Sequence, residues 1–527
     1  MRISQLFAAM LASVAASTLA AQATTATELP PVPRELRAAW VATVGNIDWP
    51  SRPDLDTWSQ QAELLAILNK AVALHLNAII FQIRPGTDAL YDSKLEPWSE
   101  YLTGRQGRPP EPAWDPLAFA VAEAHKRGLE LHAWFNPYRA RYAKPLSDAA
   151  RTHVSRTAPS LVREYGSYLW MDPGDPAVRA RTVQVVRDVV RRYDIDGVHI
   201  DDYFYPYKEN DASGRPIDFP DSVTYAAYRK SGGTLGRDDW RRHNVDLLVE
   251  MLDRGVHQTK PWVRFGVSPI GIWRPGNPPT IQARFDAYQE IYADTRKWLR
   301  NGWLDYWVPQ LYWAIDSPQS YPQLLDWWAQ QNIKKRNLWI GNGLHRVGDN
   351  YQVGAGGNRA ANWPAQEIVE QVKVTRASVG TAANGGATGN VFFSMKGLMR
   401  DVDSIDAKLA PLYAEPALVP ASSWLDGTAP PRPTATLVAS AVTGEMYVRL
   451  TPGKGEAPWL WVVRTLRGDQ WTTEILPNEV HSHRLPGTGD VDRVVANAVD
   501  RVGNLSAPAV ARPGKGSGAV VSDRDRQ

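Results

Sequence analysis

Two periodicities alternate along most of this chain. Short, near-continuous apolar runs are each followed by stretches in which apolar residues recur every three or four positions. The first run, 37–44 (RAAWVATV), leads into a loop at Gly45-Asn46-Ile47-Asp48-Trp49-Pro50. Asp56 then stands where a helix cap belongs, ahead of Leu64, Leu65, Leu68, Val72 and Leu76 at helical spacing. Further strands are predicted over 77–83, 129–135, 195–200, 263–268, 304–312, 337–341 and 390–395. Asp115-Pro116 opens a helix that stops at Gly128, and Asp175-Pro176 opens another. Helices are also predicted over 238–258, 281–301, 321–331 and 364–377. About eight strand–helix alternations predict a parallel sheet with helices outside, most simply a (β/α)8 TIM barrel over 34–427. A doubly wound open sheet is the alternative, weakened by the lack of a Gly-rich phosphate loop after the first strand.

Near Thr428-Ala429-Pro430-Pro431-Arg432-Pro433 the helical period stops. Short alternating strands follow at 434–439, 445–450, 460–465, 470–475 and 492–498, which predicts a small all-β sandwich over 428–512. Residues 513–527 are polar and read as a disordered tail. At the other end, Arg2, an apolar run from Leu6 to Leu19 and Ala21-Gln22-Ala23 form a signal-peptide pattern. Cleavage would start the mature chain near Thr24, with 24–33 as a Pro-rich leader. The run is short for a membrane span, and no cysteine follows it to carry a lipid. The expectation is an exported protein, periplasmic or extracellular, without membrane insertion.

Composition narrows the chemistry. The absence of cysteine removes thiol nucleophiles, disulfides and thiolate metal sites together. A net charge of +3 spread over scattered Lys and Arg leaves no nucleic-acid footprint. The 22 Trp and 20 Tyr against 10 Phe favour flat apolar faces with polar edges, which suit sugar rings and also fill large cores.

In a barrel, reactive groups sit at the C-terminal strand ends. Those ends carry Asp48 and Trp49; Gln82, Arg84 and Asp88, with Glu96 beyond; His132, Trp134 and Asn136; His199, Asp201 and Asp202; Ser268, with Trp273 beyond; Gln310, Tyr312 and Trp313; Asn342 and His345; and Ser394 and Lys396. The fourth end, Asp196 to Pro206, concentrates the signal: a buried-strand pattern closes on two acids and the aromatics Tyr203, Phe204 and Tyr205. Carboxylates there are costly to bury and unnecessary for folding. Residues of equal parity share a strand face, so His199 and Asp201 point inward together and Asp202 is expected to diverge. Glycoside hydrolysis needs two carboxyl groups. Asp201 is read as nucleophile or base, with Asp202, Asp48, Asp88 or Glu96 as acid. Arg84 is read as a substrate contact or as the ion-pair partner of Asp201 or Asp202. A metal set of His132, His199 and Asp201 is the competing chemistry, ranked lower because close histidine spacings are absent. No cofactor is implied.

The strand-end motifs resemble glycosyl-hydrolase-like family 10. They are Arg37-Ala38-Ala39-Trp40-Val41-Ala42-Thr43-Val44 with Asp48-Trp49-Pro50, Phe81-Gln82-Ile83-Arg84-Pro85 with Asp88-Ala89-Leu90-Tyr91, and Glu96 to Gly104. His132 to Arg139, Asp196 to Pro206, Gly266-Val267-Ser268-Pro269 and Pro309-Gln310-Leu311-Tyr312-Trp313 continue the series in order. The resemblance spans 34–406. It implies a (β/α)8 barrel, glycan as partner, and hydrolysis of an envelope or extracellular polysaccharide, with peptidoglycan glycan strands leading. A non-catalytic glycan-binding protein is the alternative of a different class. In the C-terminal part, Val494 to Asp500 followed by Gly503-Asn504 resembles a fibronectin type III module.

Overall fold

The computed structural model describes residues 28–348 and 362–514. The signal-peptide pattern and the tail from 515 onward lie outside the described residues. The chain divides into two units: Arg34–Asp426, and the described residues before Arg34 together with those from Gly427 onward.

The larger unit is built on ten parallel strands: β1 (Leu36–Val41), β2 (Ala78–Arg84), β3 (Glu130–Phe135), β4 (Gly197–Ile200), β5 (Arg264–Val267), β6 (Tyr306–Trp307), β7 (Gln310–Leu311), β8 (Asn337–Leu338), β9 (Ile340–Asn342) and β10 (Gly389–Phe392). Their order is β7-β9-β10-β1-β2-β3-β4-β5-β6-β8. β6 and β7 are halves of one run, interrupted where Pro309 offers no N–H to the ladder. β8 and β9 are likewise halves of one run. β6 pairs with β8 and β7 with β9, so the two ends of the list are one ladder. Trp339 N to Trp307 O (2.9 Å) and Gly341 N to Pro309 O (3.0 Å) stitch across the interruptions. The sheet therefore curls back on itself as a TIM-barrel-like ring.

Helices follow the strands as the apolar spacing predicts. Asp56 caps Thr57–Ala73 through Ser59 N, Asp115 caps Pro116–His125 through Leu117 N and Ala118 N, and Asp175 caps Pro176–Arg192 through Ala177 N. The continuous helix expected over 281–301 is instead two short ones, Ala287–Glu290 and Thr295–Asn301. Tyr292 between them takes a left-handed conformation (φ 55°), and Asp286 caps the first piece.

Strand parity sorts the core. Ala39, Val41, Ile79 and Phe81 face the helices, among Leu64, Leu68 and Leu117. Leu36, Ala38, Trp40, Ala42, Ala78, Ile80, Trp134, Tyr306, Trp339 and Val391 fill the ring interior. Large interior rings need small residues opposite them. A Cβ on Gly266 would lie 2.0 Å from the Tyr306 ring, and one on Gly197 would lie 2.5 Å from His132.

The smaller unit holds two antiparallel sheets. One contains Thr434–Ala439, Met446–Thr451 and Ser482–Arg484; the other Leu460–Arg467, Gln470–Pro477, Arg493–Val499 and Ala509–Ala511. Val448, Leu450 and Leu485 share one apolar cluster with Trp461, Val463, Val494, Ala496 and Ala498. Two of these strands, Ser482–Arg484 and Ala509–Ala511, are too short to show alternation in sequence.

Candidate active site

A cavity of about 250 Å³ opens at the C-terminal strand ends. Its polar lining is Gln82, Arg139, Asp201, Asp202, Ser268, Gln310 and His345; Trp40, Trp134, Tyr142, Tyr203, Tyr312 and Phe393 supply aromatic walls.

Asp201 follows the last residue of β4. Trp134 Nε1 donates to its Oδ2 at 3.0 Å, Asn136 Nδ2 lies 3.4 Å from both oxygens, and Tyr203 N donates to Oδ1 at 3.4 Å. Burial, and then the neighbouring Asp202 charge, push Asp201 up to about 7; Arg139 and the Trp134 hydrogen bond oppose this. Asp202 accepts from Gln310 Nε2 at 2.8 Å and from the Tyr207 hydroxyl. Burial raises its carboxyl as well, and these two donors act against the rise. The expected divergence of the two acids is corrected here. The strand ends at Ile200, the chain bends at Asp202, and both carboxyls line one cavity.

Of the remaining predicted residues, Trp134, Tyr203, Gln310 and Tyr312 line the cavity. Asn136 sits behind Asp201, and its Oδ1 accepts from Arg139 N at 2.8 Å. Several others are turned away. Glu96 and Arg84 form a buried two-point ion pair, with Nε–Oε2 and Nη2–Oε1 both 2.7 Å. Glu96 is thus neither acid nor base in the cavity, and Arg84 pairs with neither Asp201 nor Asp202. Asp48 accepts from Ala42 N (2.7 Å), Ser394 Oγ (2.6 Å) and Lys396 N (2.7 Å), tying the end of β1 to the turn after β10. Burial raises it to about 6. Asp88 is also raised to about 6 by burial; it accepts from Gln106 Nε2 at 3.2 Å, outside the cavity lining. Trp49 is core, donating to Gln60 O at 2.9 Å. Tyr205 packs on Phe219 and Tyr292, Trp273 on Tyr288 and Trp327, and Trp313 against the core; none lines the cavity.

The two histidines form a buried column rather than a metal set. Trp40 Nε1 lies 3.1 Å from His199 Nε2. An indole N–H can only donate, so that nitrogen carries no proton and Ser268 Oγ, 2.9 Å away, also donates to it. His199 Nδ1 then donates to the Tyr306 hydroxyl at 3.2 Å, and that hydroxyl lies 2.9 Å from His132 Nδ1 and 3.3 Å from Val198 O. His132 Nε2 ends the column on Glu130 Oε2 at 3.1 Å, where Arg264 Nη1 also lies at 2.9 Å. Burial and His132 hold His199 well below its usual range, so it stays neutral. All four imidazole nitrogens are engaged along the ring interior, and neither ring lines the cavity. Neither the substrate-contact reading of His132 and His199 nor their joint metal reading with Asp201 fits this geometry.

Sequence reasoning missed Trp40 and Arg139 as site residues. The alternation Ala38, Trp40, Ala42 on an inward parity signals the first. Arg139 lies in a loop that doubles back as strand Arg139–Arg141, which no periodicity shows.

Comparison with known proteins follows the same stretch of chain. The description "Glycosyl hydrolase-like 10" matches residues 35–363. "Glycosyl hydrolase YngK" of Bacillus subtilis (strain 168) is 40% identical over 423 residues, 78% of each chain. "Glycosyl hydrolase DigH" of Escherichia coli (strain K12) is 37% identical over 337 residues, 60% of this chain and 74% of that protein. Among solved structures, the PgaB (BpsB) glycoside hydrolase domain from Bordetella bronchiseptica aligns with a TM-score of 0.47 at 13% identity, over 72% of this chain and 98% of that one. On the match over 35–363 and the two relatives, the chain belongs to the glycosyl hydrolase-like 10 family.

Proposed function

We propose that this chain hydrolyses O-glycosidic bonds of a bacterial envelope or extracellular glycan, with peptidoglycan glycan strands the leading substrate. The carrying observation is the pair of buried carboxyls, Asp201 and Asp202, in one aromatic-walled cavity at the strand ends. Their surroundings favour different roles. Asp201 is pushed up to about 7 and keeps a proton near neutrality, which suits the acid that protonates the leaving oxygen. Asp202 has two donors, Tyr207 and Gln310, on its anion, which suits the base or nucleophile. This reverses the role given to Asp201 from sequence alone. Trp40, Trp134 and Tyr312 offer faces and edges for sugar rings. The Met1–Ala23 pattern supports export through a cleaved signal peptide. The two C-terminal sheets around one apolar cluster support a fibronectin type III-like sandwich.

The test incubates the full chain with purified peptidoglycan and counts new reducing ends. Hydrolysis gives new ends at a rate that falls as pH rises above about 7, where Asp201 loses its proton. Binding without new ends would make the protein a glycan-binding module instead. Loss of activity in a chelator would revive the metal chemistry.

A further inference from the structure

We infer that His199 is a positioning residue for the acid pair: clamped between Trp40 and Tyr306, it offers one bare ring nitrogen that holds Trp40 and Ser268, and through Ser268 and Gln310 it fixes Asp202. The inference rests on the glycan reading above and adds to it a residue outside the cavity. A packed barrel interior is ordinarily filled by branched apolar side chains. Here Glu130, His132, His199, Arg264 and Tyr306 interrupt that filling, each no more than 4% exposed. Buried polar groups of this kind are costly unless every one is bonded, and an apolar filling would serve the fold at least as well. The neighbouring strands nevertheless make room for them. A Cβ on Gly197 would lie 2.5 Å from the His132 ring, and one on Gly266 2.0 Å from the Tyr306 ring.

The column has a direction. At its far end Arg264 Nε stops on Ser422 Oγ at 3.0 Å. At the other end stands His199 Nε2, on which two cavity-lining residues converge from different strands. Trp40 Nε1, on β1, donates to it at 3.1 Å, and Ser268 Oγ, just past β5, at 2.9 Å. The Ser268 carbonyl in turn accepts from Gln310 Nε2 at 2.9 Å, and the same nitrogen donates to Asp202 Oδ1 at 2.8 Å. His199, Ser268, Gln310 and Asp202 thus form an unbroken series. Only one tautomer keeps it. With a proton on Nε2 the ring would face the Trp40 N–H donor to donor, and both buried groups would lose their partner. Tyr306 favours the tautomer that works: its hydroxyl oxygen takes the Nδ1 proton at 3.2 Å, and its ring stacks on His199 with 16° between the planes.

The test has a spectroscopic arm and a kinetic one, both on the full chain. Imidazole nitrogen NMR of isotope-labelled histidine, recorded at neutral pH without glycan, reads the tautomer directly. The signal lost in His199→Gln should show a bare Nε2 and a protonated Nδ1, and in Tyr306→Phe it should move toward a mixture of tautomers. A proton found on Nε2 of the native ring overturns the inference. The kinetic arm follows new reducing ends in purified peptidoglycan, with melting curves to show that each variant is folded. His199→Leu should lower kcat by at least about tenfold, the scale of one lost hydrogen bond, with KM little changed. His199→Gln, whose amide oxygen can accept in place of Nε2, should recover part of that loss. A folded His199→Leu that keeps the native kcat, or a His199→Gln no better than it, would make the column a support for the fold alone and overturn the inference. A native chain that releases no ends overturns the glycan reading instead, and with it the tie to Asp202, whichever tautomer the spectra show.

Discussion

Asp201 is held in place by donors but pays for its burial in proton affinity. Its carboxyl is raised from 3.8 to about 7, so between those limits the folded chain binds more protons at this site than the unfolded chain does. Its contribution to stability therefore falls as pH rises through that window and is lost above it. Asp201→Asn removes this dependence: its melting temperature should exceed the parent's at pH 8, and the gain should shrink toward pH 4. A gain independent of pH would contradict the assignment. Glu96 is held by a cation instead. Its bidentate pair with Arg84 is fully buried, and Glu96→Gln leaves that guanidinium uncompensated. A loss of about 3–5 kcal/mol in denaturant unfolding is expected. At this scale the sequence showed which acids stand at strand ends but not what each one meets. Asp201 was legible because strand parity fixes its direction. Glu96, Asp88 and Asp48 were not, because loop geometry decides whether a carboxyl turns into the cavity or onto an arginine, a glutamine or a backbone N–H. The same uncertainty hid Arg139.

At the scale of elements, the ring interior is a matched set of large and small positions. Tyr306 fits because Gly266 on the neighbouring strand has no side chain; an added Cβ would lie 2.0 Å from its ring. Gly266→Ala should destabilise the protein by more than about 1–3 kcal/mol, the range for overpacking a core. Adding Tyr306→Leu should recover part of that loss, and urea unfolding of the single and double variants measures both. If the second change adds its own cost with no recovery, the clash is not the cause. Strands and helices were largely readable from the two periodicities, since each buries a defined face. The exceptions have local causes. Pro309 splits one strand by removing a ladder donor, and the left-handed Tyr292 breaks a helix that apolar spacing alone would extend. The His132–Tyr306–His199 column was half legible: parity placed both histidines inward, but depth along the ring, which sets them below the cavity, has no sequence signal.

For the molecule as a whole, the order of alternation was enough to predict a parallel sheet wrapped by helices and a separate all-β unit. Those features follow from which faces must be buried, and they hold over hundreds of residues. The candidate site is a smaller matter of which strand ends converge: four of the residues read as contacts, and both adjacent acids, line one cavity. The central claim is that this acid pair cleaves glycan. The most direct measurement is the rate at which new reducing ends appear in purified peptidoglycan with the native chain and with Asp201→Asn, each shown by melting to be folded. The account predicts steady release by the native chain and a fall of about 10²–10⁴-fold in the variant, the range for loss of a positioned acid or base. An Asp201→Asn variant that releases ends at the native rate would contradict it.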